Sequence, residues 1–430
     1  MRDHHFSAAV PAGRSPVEII ARSDDVAAVL RCAAASKLLR GAILDPGFRR
    51  RLALRAAANG GFDPALLVAV SYRLGTAVRR DTAAATVTND VVVQVQPSWG
   101  FRFDASLLRW PFQLASARDG LLVLWRNQEP SKSSRVFPVE QIRAEIRVCN
   151  TFTGHVAHLP YTDLGHGRGV NYIFRPVLLA LDGFGRSFEL LVMEVPIGTD
   201  DNKHMRTQIF SSQETNWRDV RLAHLPLGYL YMNSIDVAPV VIGRTVYWLC
   251  HVIPASATTT TRSATIAIFI LQVDTACATT VKLPQECLSG RESCHDLDKG
   301  LILATAADGT KLGVVVGEGL VISMWTLTPE EGYNRWSRQV VIRRQEIDKQ
   351  LDAAITGVVG AYGRIFFDRF GERSGTVIFW IERLGLLQLN LGTKKAHVLR
   401  SCRHNEFVYS VQANLHEIDL PSLLEAMKPF

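Results

Sequence analysis

Three short elements recur along most of the chain, and they constrain its fold more than any other feature. The first is a strand, a turn with Thr and a small residue, and then Leu-Pro or an equivalent: VCNTFTGHVAHLP (148–160), QVDTACATTVKLP (272–284) and QLNLGTKKAHVL (388–399). The second places Trp after a polar turn: SSQETNWRDVRL (211–222) and EEGYNRWSRQVVI (330–342). The third is a glycine turn before an aromatic strand: GRTVYWLCHV (243–252), GEGLVISMWTL (317–327) and SGTVIFWIERLGLLQL (374–389).

The order of these elements predicts a β-propeller. Short β-rich runs separated by turn signals are typical of an all-β sandwich, barrel or propeller. A blade is an open sheet whose faces must be covered by its neighbours, and blades of about 45–55 residues would divide this region into six or seven. Five tryptophans in apolar runs should fill the gaps between blades: Trp217, Trp248, Trp325, Trp336 and Trp380.

The start of the chain has a different pattern, which predicts three or four short helices. Pro16 suits the first turn of a helix, Ser23-Asp24-Asp25 is an N-cap signal, and Asp45-Pro46-Gly47 stops a helix. Helices of two to three turns bury little apolar surface by themselves. We therefore expect them to pack on the following domain or on a partner.

These patterns divide the chain into five segments. We expect a disordered N-terminus (1–14), a helical module (15–57), a linker (58–66), a propeller (67–415) and a C-terminal helix (416–430).

The charge of the chain is concentrated in its first segment. Residues 1–60 contain ten Lys and Arg against five Asp and Glu, which is most of the net charge of +7. A basic module on a nearly neutral domain suggests an acidic partner. No aromatic residues interleave the basic ones, so a nucleic-acid partner is not expected.

The helical module resembles a plant-type F-box. The resemblance lies in Arg31-Cys32-Ala33, in Lys37-x-x-Arg40 and in Ile43-x-Asp45-Pro46-x-Phe48. The module departs from that family where PAGRSPVE replaces an opening Leu-Pro, where Ser36 replaces a Cys and where Leu39 replaces a Trp. The repeats that follow resemble the kelch-like, F-box-associated propeller of plant proteins.

The resemblance implies a substrate-recognition adaptor without a catalytic site or cofactor of its own. The helices would bind a Skp-type linker protein, which attaches to a cullin ubiquitin ligase, and the propeller loops would bind a protein target in the cytoplasm or nucleus. The residues implied to contact the linker are Pro16, Val17, Ile20, Val29, Leu30, Ser36, Lys37 and Leu39.

Two other functions remain open on the sequence. The chain could be a protein-binding scaffold without ligase attachment, in which the helices only cap the propeller. It could also be a propeller hydrolase, in which carboxylates gather on the central axis. The carboxylates considered for that position are Glu189, Glu194, Asp236 and Glu318.

Other candidate sites have weak support in the sequence. Cys287, Cys294 and His295 match no zinc-ligand spacing, so no metal site is expected. The segment LGHGRG (164–169) lacks the Lys-Ser/Thr of a phosphate loop. The longest apolar run is too short to span a membrane, and seven scattered cysteines favour a reducing compartment.

Overall fold

The chain folds into a six-bladed β-propeller. The computed structural model describes residues 26–80, 83–95, 104–108, 112–127, 144–151, 153–164, 170–181, 187–197, 204–224, 229–231, 238–253, 265–288, 300–306, 308–330, 333–351, 363–382, 384–402 and 406–420. Within these residues the strands form six antiparallel sheets. The propeller prediction is thereby confirmed, with six blades.

The strands are short and antiparallel, as alternating runs between turns predict. In chain order they are β1 (Leu67–Arg80), β2 (Ala83–Val95), β3 (Gln113–Arg118), β4 (Leu121–Asn127), β5 (Ala144–Asn150), β6 (Val156–His158), β7 (Val170–Ile173), β8 (Val177–Leu181), β9 (Phe188–Ile197), β10 (His204–Ser211), β11 (Arg221–His224), β12 (Tyr229–Tyr231), β13 (Val240–Ile242), β14 (Thr245–Ile253), β15 (Thr265–Gln272), β16 (Cys277–Lys282), β17 (Leu301–Thr305), β18 (Leu312–Gly317), β19 (Val321–Glu330), β20 (Tyr333–Arg343), β21 (Ile365–Phe370), β22 (Thr376–Ile381), β23 (Gly385–Asn390), β24 (Ala396–Ser401) and β25 (Glu406–Glu417).

We name the sheets blades A to F. Blade A has the order β2-β1-β25, and blade B has β3-β4-β5-β6. Blade C has β11-β10-β9-β7 with β8 also on β9, and blade D has β12-β14-β15-β16 with β13 also on β14. Blade E is β17 to β20, and blade F is β21 to β24. Strand β25 contacts β3 on one side and β21 on the other, so the last strand closes the ring of inner strands.

The hydrophobic core is divided into layers between neighbouring blades. Strand β17 shows why, because all five of its side chains are buried. Leu301 and Leu303 pack towards blade D, whereas Ile302 and Ala304 pack towards blade F. A similar apolar layer separates each of the other blade pairs. The inner strands therefore read as continuous apolar runs rather than as alternating ones.

The tryptophans occupy two kinds of position. Trp248, Trp325 and Trp380 are buried in the layers between blades, as predicted. Trp217 and Trp336 pack against these layers from the outer edge of the propeller and are only partly buried.

The repeated Leu-Pro and Trp elements form a similar contact twice, with acceptors two positions apart in the repeat. The indole N–H of Trp217 in blade C donates to the carbonyl of Pro160, which follows blade B, at 2.8 Å. The indole N–H of Trp336 in blade E donates to the carbonyl of Lys282 in blade D at 3.3 Å. Each tryptophan thus fastens the outer edge of one blade to the preceding blade.

Five α-helices are present in the described residues. They are α1 (Val26–Ala35), α2 (Lys37–Leu44), α3 (Pro46–Ala58), α4 (Gln285–Leu288) and α5 (Arg344–Gln350), and 3-10 turns cover Pro64–Leu66 and Ala105–Leu108. Ser36 caps α2, where its hydroxyl accepts from the Leu39 N–H at 3.4 Å. Asp45 caps α3, where its carboxylate accepts from the Gly47 N–H at 2.7 Å.

Helices α1 to α3 pack on blade A through a shared apolar core. Val29, Leu30 and Phe48 lie against Val68 in β1 and Ile418 after β25, and all five side chains are buried. The helices therefore receive from the propeller the support that their size requires. The predicted disordered N-terminus lies outside the described residues, as does most of the predicted C-terminal helix, and β25 continues to Glu417.

This packing predicts that the helices stabilise the propeller. Phe48→Ala should lower the free energy of unfolding by about 3–5 kcal/mol, because the side chain is fully buried among helix and propeller residues. Urea unfolding followed by tryptophan fluorescence measures this change.

The matched control is Leu38→Ala in α2, whose side chain is 82% exposed. It should change the free energy of unfolding by about 0.5 kcal/mol or less. Equal effects of the two substitutions would contradict the packing of α1 to α3 on blade A.

Candidate functional site

A pocket with a volume of about 70 Å³ lies at the propeller axis. It is placed towards the carboxyl ends of β3, β21 and β25, and five of the six blades contribute side chains to it. The residues that line it are Ala115, Ser116, Ala117, Arg118, Asp119, Ala238, Pro239, Val240, Ile302, Leu303, Arg369, Phe370, Glu372, Arg373, Asn414, Leu415 and Glu417. Convergent polar groups in a pocket with apolar walls are typical of ligand sites.

Arg373 ties three parts of the chain together beside this pocket. Its guanidinium donates to both carboxylate oxygens of Asp119 in blade B, at 2.6 and 3.0 Å, and to Asp419 at 2.8 Å. The backbone carbonyl of Arg373 accepts from the N–H of Asp63, in the segment just before β1, at 3.1 Å. Burial alone would lower the pKa of Arg373, but the bonds and charges of Asp119 and Asp419 raise it. The side chain is therefore a permanent cation that joins blade F to blade B.

Glu417 holds the turn that carries Arg373. Its carboxylate accepts from the Ser374 N–H at 2.7 Å and from the Arg373 N–H at 3.2 Å. A Cβ at Gly371 would collide with this carboxylate, which explains the glycine in the turn. Burial raises the pKa of Glu417 although these bonds oppose the shift.

Glu372 is held more loosely than its neighbours. Its carboxylate lies 3.6 Å from the nearest guanidinium nitrogen of Arg118, and about a quarter of its side chain is exposed. Burial raises its pKa, Arg118 opposes the shift, and Asp119 adds to it. A backbone hydrogen bond from Val241 also holds this carboxylate.

A buried polar group lies behind the pocket in blade A. His416 contacts the Ser71 hydroxyl at 2.8 Å and the Asn414 amide nitrogen at 2.9 Å through Nε2. All three residues are almost fully buried, and burial lowers the pKa of His416 to about 3. The imidazole is therefore neutral in the folded protein.

The structure places most of the predicted axial carboxylates elsewhere. Glu189, Glu194 and Glu318 pair with arginines away from the axial pocket, and Asp236 lies outside the described residues. The carboxylates at the axis are Asp119, Glu372 and Glu417 instead. Their sequence signal is weak, because they flank the turns DG (119–120) and GERSG (371–375) or end the last strand.

A second candidate surface lies on the helices, on the side away from blade A. Leu38 in α2 is 82% exposed and Leu54 in α3 is 62% exposed. Lys37, Arg50 and Arg51 are exposed on the same two helices. We call these five residues the helical surface.

The residues expected to contact a linker protein are divided by the fold. Val29 and Leu30 are buried against blade A, so their side chains are not available to a partner in this arrangement. Lys37 is exposed and Leu39 is half-buried, whereas Ser36 caps α2. Pro16, Val17 and Ile20 lie outside the described residues.

Within the described ranges, no three His, Cys, Asp or Glu side chains lie close enough together to hold a metal ion. Cys294 and His295 lie outside those ranges, as do residues 165–169 of LGHGRG. Among the helices that the structure describes, none has the length and apolar character needed to cross a membrane.

The buried His416 predicts a loss of stability in acid. Its folded pKa of about 3 is below the value of 6.5 expected when unfolded, so its contribution is complete above pH 6.5 and is lost as the pH falls towards 3. This one group should cost about 1.4 kcal/mol between pH 7.5 and 5.5. Urea unfolding at both values should show wild type losing about that much more than His416→Gln, and equal losses would contradict the neutral imidazole.

Comparison with known proteins defines the family of the chain. The family described as domain of unknown function DUF7595 matches residues 69–430. No curated protein matches the chain. Among solved structures, a protein of unknown function from Dyadobacter fermentans matches with a TM-score of 0.36 and 11% identity, over 68% of this chain and 84% of that one. An α-L-arabinofuranosidase from Fusarium graminearum with arabinobiose matches with a TM-score of 0.32 and 10% identity, over 74% of this chain and 82% of that one. A family 117 glycoside hydrolase from Zobellia galactanivorans matches with a TM-score of 0.29 and 10% identity, over 65% of this chain and 80% of that one. The family match extends over most of the chain, which therefore belongs to the DUF7595 family.

Proposed function

We propose that this protein is a non-catalytic binding scaffold that docks on an acidic partner protein through its N-terminal helices. The observation that carries the proposal is the helical surface. Two leucines are exposed there, whereas Val29, Leu30 and Phe48 of the same helices are buried against blade A. Single exposed apolar residues are common, so the proposal rests on the position of these two leucines on helices that carry exposed Lys37, Arg50 and Arg51.

The charge of the helices favours an acidic partner. Residues 26–58 contain seven Lys and Arg against one acidic residue, Asp45. Opposite charge on a partner would accelerate association and fix its orientation, and burial of Leu38 and Leu54 would supply about 1.5–3 kcal/mol each.

The finer form of the proposal is the adaptor role that the F-box resemblance implies. The partner would then be a Skp-type linker of a cullin ubiquitin ligase, in the cytoplasm or nucleus, and the propeller would hold a protein target. Because Val29 and Leu30 support the propeller, the linker would contact Lys37, Leu38, Leu39 and Leu54. The two functions of the module would thus use opposite sides of the helices.

The propeller hydrolase is the competing function. In its favour, three carboxylates line the axial pocket. Against it, Asp119 and Glu417 accept hydrogen bonds that fasten the fold, so Glu372 has no second free carboxylate beside it for paired acid–base catalysis.

A binding measurement with the full-length protein tests the proposal. Calorimetry with a recombinant Skp-type linker should show binding by wild type that weakens as salt is raised from 50 to 300 mM. The double substitution Leu38→Asp with Leu54→Asp should reduce affinity at least about a hundredfold, because it removes both anchors and adds charge of the partner's sign.

The matched control is Leu222→Asp on β11, which is also an exposed leucine but lies in blade C. It should bind like wild type. Absence of binding by wild type would remove the adaptor role, and binding unchanged by the double substitution would remove the helical surface as the docking site.

A further inference from the structure

The axial pocket contains a buried cation whose hydrogen bonds are incomplete. Arg369 is only 7% exposed, and its Nε donates to the Ala413 carbonyl at 2.9 Å. The nearest carboxylate oxygen, on Asp368, is 3.9 Å away and already accepts from the Ala413 N–H at 2.6 Å. Among the described residues, the two terminal guanidinium nitrogens have no hydrogen-bond partner.

A guanidinium in this state has donors left for a ligand. An ion taken out of water costs several kcal/mol unless hydrogen bonds and an opposite charge compensate it. The other pocket carboxylates have different partners: Asp119 pairs with Arg373, Glu417 accepts from backbone N–H groups, and Glu372 pairs with Arg118. The remaining donors of Arg369 form a planar fork, which matches a carboxylate or phosphate group in two parallel hydrogen bonds.

From this geometry we infer that the axial pocket binds a small organic oxyanion, a carboxylate or phosphate, through the guanidinium fork of Arg369.

A second side chain with an unpaired polar atom lines the same pocket. Asn414 is 1% exposed, and its Oδ1 has no partner among the described residues. Its Nδ2 lies 2.9 Å from the ring Nε2 of His416. Rotation of the amide by 180° would let Oδ1 accept from a ring N–H and would leave the NH₂ group free to donate to an anion. Asn414 thus adds a buried amide with an unpaired oxygen to the lining of the pocket.

The rest of the pocket fits a small group. Its walls include Ala115, Val240, Ile302, Phe370 and Leu415, and its volume of about 70 Å³ holds a few water molecules or an anion of similar size. Arg118 adds a second cation at the pocket, where it donates to the Leu179 carbonyl at 3.3 Å and lies 3.6 Å from Glu372. The raised pKa of Glu372 reduces the repulsion that its carboxylate would exert on an anion.

Thermal unfolding of the full-length protein with defined anions tests the inference. The probes are acetate, succinate, benzoate and inorganic phosphate at constant ionic strength, with sodium chloride as the reference. At least one probe should raise the Tm in a saturable manner, because a ligand that binds only the folded state stabilises it. A response to carboxylates alone, to phosphate alone or to both identifies the preferred group, and no response beyond chloride overturns the inference.

Substitutions at Arg369 locate the site. Arg369→Met should abolish the response, whereas Arg369→Lys should weaken affinity at least about tenfold, because lysine keeps the charge without the fork. The matched control is Arg221→Met on the exposed strand β11, which should respond like wild type. A full response in Arg369→Met would overturn the inference. If Arg369→Met does not fold, an Arg369→Lys variant that binds the anion with wild-type affinity would overturn the inference.

Discussion

Closure of the ring by strands from both ends of the chain is the constraint on which the rest of the structure depends. Blade A takes β1 and β2 from the N-terminal part and β25 from the C-terminal part, and β1 pairs along almost its whole length with both. Each other blade is made from one continuous stretch of chain. Blades F and B are therefore joined through β25, which contacts the inner strand β21 of blade F and the inner strand β3 of blade B.

Three further features strengthen this closure, and each uses a different kind of interaction. Helices α1 to α3 cover the outside of the junction with apolar side chains on Val68 and Ile418. Arg373 of blade F binds Asp119 of blade B and Asp419 after β25 through its guanidinium. Its backbone carbonyl also accepts from Asp63, in the segment just before β1. His416 pairs with Ser71 across β25 and β1. The N-terminal module is thus part of the propeller's closing unit, and its outward side is what remains for a partner.

The sequence predicted the large features because they depend on local pattern. The repeats around Pro160, Trp217, Lys282 and Trp336 indicated a propeller, since the blade-to-blade contact repeats in sequence as well as in space. The axial residues could not be found in this way. Asp119, Arg369 and Asn414 come from three blades and meet only when the ring closes, so no spacing along the chain marks them. The direction of Val29 and Leu30, towards blade A rather than a partner, likewise depends on packing between distant segments.

Native-state hydrogen exchange is the most direct test of the claim that both ends of the chain form one cooperative unit. Slowly exchanging amides in α1, β1 and β25 should report the same opening free energy, and guanidinium chloride should lower it with the same slope in all three. If α1 amides exchanged through a low-energy opening while β1 and β25 stayed protected, the helices would be an independent attachment and the account would be wrong.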